Sequence, residues 1–288
     1  MIIRRTETAK QGLKTVVSLG KQSQAVELDF GILHLQKGGT YTDQSSWERA
    51  YLLVQGRISA AWASDQTEAE RTSVLDEGPW VLHVPGGVRV EIEAASPHVE
   101  LCVESVPNNT IFESRVILPH ECRADLIGDM NTQVTAQRTV RTVFDGDDAP
   151  HSNMVLGEVV AHPGHWSSYP PHSHPQPELY HFRFFPSNGF GYSGQGNDVY
   201  KVFDGDTAVI SGGLTHPQVA APGYAMYYIW MIPHLPNHRF NSSSREYVKE
   251  HACLMEQDAV VWSPQNGASL YGGCRPACAG VPDYTRCE

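Results

Sequence analysis

The stretch Gly164-His-Trp-Ser-Ser-Tyr-Pro-Pro-His172-Ser-His174-Pro-Gln-Pro-Glu178-Leu-Tyr180 concentrates the chemistry of the chain. His172 and His174 are two residues apart. In an extended strand such residues share a face, so both imidazoles can reach one ion. Glu178 follows four residues later and keeps the same parity past the turn expected at Pro175 and Pro177. Downstream, Gly205-Asp-Thr-Ala-Val-Ile-Ser-Gly-Gly213-Leu-Thr-His216 reads as strand, glycine turn, and a histidine opening the next strand. Three imidazoles and a carboxylate are a common donor set for a divalent metal. The donor types do not fix the ion: zinc and manganese lead, and iron, nickel and cobalt also fit. A His-x-His pair alone is a weak signal in a chain with 14 histidines, and four polar residues in a loop-rich region are the plain alternative. The added glutamate, the preceding Gly164 and the Gly-x-x-His downstream sharpen the metal reading.

Other side chains follow from strand parity. Tyr180 shares the face of Glu178, where a phenol can donate or accept a proton; a core tyrosine is the competing reading. Arg183 is the obvious partner for a substrate carboxylate, because its planar fork binds carboxylates bidentately. Strict alternation puts it on the face opposite Glu178, so that role requires a bulge or a rim position. Tyr200 and Lys201 on the next strand are further substrate-binding candidates. Tyr227 and Tyr228 alternate, so one of them faces inward, and Tyr228 shares its side with Trp230.

Outward from this stretch the chain reads as mostly β. Short apolar runs are punctuated by glycine and proline, 25 and 19 in number, across 288 residues. The expected strands are Thr15–Leu19, Leu28–Leu35, Ala50–Val54, Pro79–Val84, Val88–Ile92 and Val99–Val106. A second series follows at Val155–Ala161, Glu178–Phe185, Val199–Phe203, Thr207–Ile210, Gln218–Ala221 and Ala225–Ile232. The two series share a pattern, which implies two copies of one β-barrel module. The first copy has Glu48 but no His-x-His, and Val88-Arg89-Val90 stand where a histidine is needed, so only the second can hold the metal. The expected division is an N-terminal barrel without ligands at 1–127, a metal-binding barrel at 128–240 and an extension at 241–288. A helix is expected over Ser242–Gln257, with Ser242–Ser244 as its N-cap. Cys253, Cys274, Cys278 and Cys287 do not have the spacing of a zinc ribbon and read as free thiols.

The net charge of −11 argues against a nucleic-acid or anionic-membrane surface. No apolar run approaches a spanning length and no secretory signal opens the sequence, so a cytoplasmic protein with reduced cysteines is expected.

With these residues placed, the second half resembles the cupin superfamily. The first cupin motif is like Gly164 through Glu178, and the second is like Gly205 through His216, with Ser211 where a proline is usual. More closely, the chain resembles the 5-deoxy-glucuronate isomerase family of myo-inositol catabolism, related to 5-keto-4-deoxyuronate isomerase. Trp166–His174, Glu178-Leu-Tyr-His-Phe-Arg-Phe, Gly189-Phe-Gly-Tyr, His216-Pro, Ala220–Tyr228 and Pro236-Asn-His-Arg carry the resemblance. It implies an all-β bicupin and a metal-dependent aldose–ketose isomerisation of a deoxy sugar acid. A homo-oligomer is expected, since two-barrel proteins commonly associate through strand edges. Two other classes remain open, a cupin-type Fe(II) oxygenase and a non-catalytic sugar-binding cupin.

Overall fold

The computed structural model describes residues 1–5, 11–20, 26–128, 132, 134–256, 259 and 261. Two large sheets dominate it. The seven-stranded sheet runs, in spatial order, Ile2–Ile3, Thr207–Ile210, Glu178–Phe185, Ala225–Pro233, Met154–Ala161, Arg138–Phe144 and Arg123–Ile127, all antiparallel to their neighbours. The nine-stranded sheet is built around the long Glu48–Trp62 strand and Val99–Val106. A smaller sheet of Trp166–Ser167, Gln218–Ala220, Phe190–Gln195 and Asp198–Phe203 covers the other face of the seven-stranded sheet.

The strand period of two sorts side chains into separate layers. Leu179, Tyr227, Ile229 and Met231 pack against Leu52, Val54, Val81 and Cys102 of the N-terminal half. Tyr180, Phe182, Tyr228 and Trp230 point the other way and pack with Val202 and Ala220 of the small sheet. A third cluster, with Leu33, Tyr51, Leu53, Leu82 and Leu101, fills the N-terminal half. The seven-stranded sheet is therefore covered on both faces, and all eight residues of Met154–Ala161 are buried. A strand buried on both faces reads as a continuous apolar run, which is how Met-Val-Leu-Gly-Glu-Val-Val-Ala reads but for its glutamate. That exception, Glu158, is answered from both halves. Arg71 and Arg141 reach it at 2.6 and 2.8 Å and Tyr227 donates its hydroxyl at 2.6 Å.

Several elements differ from the sequence expectation. The Ala50–Val54 strand extends over Glu48–Trp62 and forms a hairpin with Asp65–Arg71, whose charged outer face hid it from a hydrophobic-run reading. The expected start at Thr15 moves to Gly12–Val17. The division at residue 127 is crossed at both ends of the first segment. Ile2–Ile3 pairs with Thr207–Ile210, and Arg123–Ile127 pairs with Arg138–Phe144. The helix expected over Ser242–Gln257 is broken. A 3-10 turn at Ser242–Ser244, capped by Asn241, is followed by the strand Glu246–Tyr247 and a short helix Lys249–Ala252. Glu246–Tyr247 pairs with His172–Ser173, and this tertiary pairing overrides the weak local helix signal. Cys274, Cys278 and Cys287 lie outside the described residues.

Candidate active site

Parity on the Glu178–Phe185 strand turns Glu178 and Tyr180 into the space between the seven-stranded sheet and its cover. The cover brings the rest. His172 and His174 arrive on the loop after Trp166–Ser167, and His216 arrives on the turn after Thr207–Ile210. The two loops are tied together where the Gly213 amide donates to the His174 carbonyl at 2.8 Å. Gly213 has φ near +80°, which glycine adopts without penalty. A Cβ on neighbouring Gly212 would fall 2.0 Å from the Pro175 carbonyl oxygen, so the double glycine permits this approach.

The result is a compact donor cluster. Nε2 of His174 and Nε2 of His216 each lie 3.3 Å from Oε2 of Glu178. One ligand atom from each of these three lies within 4.8 Å of the others, the one such group among the described residues. The His172 ring stands edge-on to His216, with centroids 5.0 Å apart, at the rim of this group. All four residues are at most 6% exposed. The Nδ1 atoms of His172 and His216 donate to the carbonyls of Pro170 and Leu214 at 3.0 and 2.9 Å. That fixes a tautomer whose Nε2 lone pair is free, as in histidines that bind a metal through Nε2 while Nδ1–H is held by a carbonyl.

The electrostatics agree. Burial and the neighbouring His216 push the His172 pKa down to about 3, and burial lowers that of His216, so both rings stay neutral. Burial alone would raise the Glu178 carboxyl, but His216, His174 and His172 outweigh it and hold the group below its usual range. An ionised carboxylate beside the neutral rings of His172 and His216 is a state that accepts a cation. The donor set fits a divalent metal.

The cluster lines a cavity of about 350 Å³ that also exposes Tyr180, Tyr228, Ser167, Ser168, Arg138 and Arg245. This volume lies in the range of small-molecule sites. The Tyr228 hydroxyl bonds Ser167 at 2.5 Å, and the Tyr180 hydroxyl bonds Ser168 at 3.1 Å. Ser168 has φ near +51°, a left-handed conformation that costs a residue with a Cβ and is tolerated here where it aims a hydroxyl at Tyr180. Burial, reinforced by Glu178, raises the Tyr180 phenol well above its ordinary value and keeps it protonated, which suits a hydrogen-bond donor or acid better than a base. Gly157 lies under the Trp230 indole, and a Cβ there would fall 2.3 Å from the ring.

Three expected substrate-binding residues lie elsewhere. Arg183 has the odd parity of Leu179 and faces the N-terminal half, where it pairs with Glu100 and, at 3.2 Å, Asp204. The bulge that a pocket role would require is absent from its strand, and the expectation is corrected on that ground. Lys201 is exposed, with its ammonium 4.1 Å from the Phe190 ring centroid. Tyr200 sits half-buried beside it on the outer edge of the small sheet. Neither lines the cavity. The sequence reading passed over Ser167, Ser168, Arg138 and Arg245. For Arg138 a signal existed: in Arg138-Thr-Val-Arg141, two arginines three apart on a strand face opposite ways, so one of them points inward.

The fold and donor cluster define a cupin-like all-β protein with a histidine–glutamate centre in a cavity. An IolB-like protein of Salmonella typhimurium LT2 superposes with a TM-score of 0.76 at 22% identity, covering 88% of this chain and 98% of that one. Oxalate decarboxylase of Lactobacillus farciminis shares the fold at TM-score 0.61 and 10% identity, over 84% of this chain and 86% of that one. The KduI/IolB family model matches residues 2–251, and the chain belongs to that family. Its relatives include the 5-deoxy-glucuronate isomerases of Geobacillus kaustophilus and Bacillus subtilis. The first is 26% identical over 77% of this chain and 88% of its own length, the second 25% over 72% and 81%. The chain is accordingly an isomerase.

Proposed function

We propose that this chain is a divalent-metal-dependent aldose–ketose isomerase of a deoxy sugar acid, converting 5-deoxy-glucuronate to 2-deoxy-5-keto-gluconate as in inositol catabolism. The observation that carries it is the convergence of His174, Glu178 and His216 on the wall of one cavity, in a chain related to isomerases of that name. His172, His174, Glu178 and His216 would hold the ion, zinc or manganese by preference. When bound, it supplies Lewis-acid polarisation of the substrate carbonyl and stabilises enediolate charge.

The chain's own residues do the remaining work. Aldose–ketose interconversion moves one hydrogen between adjacent carbons, so a proton must leave one carbon and reach the next. Tyr180, protonated and tethered to Ser168, can donate to oxygen as charge develops there. Tyr228 and Trp230, both buried, line the cavity with aromatic surface, whose low polarity strengthens the polar contacts beside it. The reading is of a bicupin with barrels near 1–127 and 128–240 and an extension at 241–288, whose Glu246–Tyr247 strand pairs with His172–Ser173, assembled as a homo-oligomer in the cytoplasm.

The test is metal content by elemental analysis together with anaerobic turnover of 5-deoxy-glucuronate, for wild type and His174→Ala. About one ion per chain, lost in the variant along with oxygen-independent turnover, supports the reading. Turnover that requires oxygen would move the chain to the Fe(II) oxygenases. A metal-free wild type prepared without chelator would overturn the ligand assignment.

A further inference from the structure

We propose that Arg138 and Arg245 form the carboxylate-recognition subsite of this cavity, so that a sugar acid lies with its carboxylate against them and its reacting carbons toward Glu178 and Tyr180. The inference rests on the sugar-acid reading above and adds the residues that select the acid.

Arg138 opens the Arg138–Phe144 strand, and its parity with Val140 and Thr142 turns it into the cavity. It is 7% exposed. A buried charge is normally paired, because desolvating it alone is costly. The other buried arginines obey this rule. Arg49 meets Asp43 at 3.3 Å, Arg71 meets Glu158 at 2.6 Å and Arg141 meets Glu158 at 2.8 Å. Among the described residues, Arg138 alone of the buried arginines has no carboxylate partner. Its Nη1 and Nη2 donate to the backbone carbonyls of Ala136 and Tyr169 at 2.9 and 3.1 Å, which aims the guanidinium. Its Nε is buried and unbonded. A guanidinium has five N–H donors, so donors remain for an incoming anion.

Arg245 supplies a second positive charge. It lies in the segment between the 3-10 turn and Glu246–Tyr247, which the pairing with His172–Ser173 lays across the cavity. Its guanidinium sits 5.7 Å from the Phe240 ring centroid and, among the described residues, forms no ion pair with a carboxylate. Arg123, the third arginine of the lining, is neutralised by Asp145 at 2.6 Å. Among the described residues, the lining thus presents two arginines, Arg138 and Arg245, that form no ion pair with a carboxylate. Arg138 and Glu178 stand on strands three places apart in the seven-stranded sheet and line the same cavity.

Calorimetric titration of the metal-loaded full chain with D-glucuronate and with D-glucose, its uncharged counterpart, reads the subsite directly. Wild type should prefer the acid. Arg138→Gln should cut that preference on the order of ten- to a hundredfold with glucose binding unchanged. Arg138→Lys should recover part of it, and in turnover of 5-deoxy-glucuronate the loss should fall on KM more than kcat. A folded Arg138→Gln that keeps the wild-type preference overturns the inference. If that variant does not fold, an unchanged preference in Arg245→Gln, whose side chain lies outside the sheet, overturns it. Turnover by wild type with acid preference unaltered in the variants removes this subsite and leaves the isomerase standing. Arginine-dependent preference for glucuronate without turnover does the reverse.

Discussion

Glu158 and Glu178 lie on the same sheet, two strands apart, on opposite faces, and both are buried. Glu158 is saturated. Its Oε1 accepts from Arg71 and Arg141 at 2.6 and 2.8 Å, and its Oε2 from Arg71 and Tyr227 at 3.1 and 2.6 Å. Those four contacts fill the acceptor capacity of a carboxylate. Glu178 is met instead by the imidazoles of His174 and His216, each 3.3 Å away, and an imidazole, unlike a guanidinium, can present a lone pair. Donor-only cations lock a carboxylate into the frame, whereas imidazoles leave it able to share a ligand. The chemistry of the partners, rather than burial, separates the structural carboxylate from the functional one.

Exchanging the two glutamates tests that distinction most severely. Glu158→Ala leaves Arg71 and Arg141 buried without their anion and should cost about 3–5 kcal/mol of stability, read as a lowered denaturation midpoint. Glu178→Gln should lower the midpoint by no more than loss of the ion does and reduce kcat/KM on the order of 10³-fold, about 4 kcal/mol of barrier. The comparison fails if Glu178→Gln unfolds the protein or if folded Glu158→Ala is selectively inactive.

A chelator should act on the Glu178 side alone. Dialysis against EDTA should abolish turnover and lower thermal stability, by about 2.7 kcal/mol where free metal had stood at a hundred times its Kd, with both restored by added zinc or manganese. A chelated protein with full activity breaks the metal assignment.

Tyr180→Phe keeps the ring and deletes the hydroxyl that meets Ser168. A loss of about 10²-fold in kcat, with KM little changed, is expected if the phenol handles a proton. Unchanged kcat returns Tyr180 to the core.

The smallest effect belongs to the far face of the same strand. His181 bonds Thr207 at 3.0 Å and packs on Phe30, with ring centroids 5.3 Å apart. Burial, with Arg183 nearby, depresses its pKa well below 6.5. The folded form keeps this ring neutral while the unfolded chain takes up a proton near pH 6.5, so stability falls as pH drops below that value. Each pH unit costs about 1.4 kcal/mol until the folded pKa is reached. Denaturation midpoints across pH 7 to 5 should slope accordingly, and His181→Gln should flatten the slope. An unchanged slope assigns the acid sensitivity to other groups.

Local pattern determined much of this protein. The Val99–Val106, Glu178–Phe185 and Thr207–Ile210 strands have the bounds their apolar runs imply. The two-residue period set Glu178 and Tyr180 on one face and Arg183 on the other, because side-chain direction in a strand depends only on parity. Partner choice is a different matter, since it depends on segments far apart in the chain. Glu100 lies 83 residues before Arg183 and takes its charge, which removes the expected carboxylate ligand from the cavity. Arg138 and Arg245 stand 107 positions apart (245 − 138) and reach one cavity only because the C-terminal segment pairs with His172–Ser173. Parity gives each side chain its direction, but only the packing of sheets and loops decides what stands in front of it.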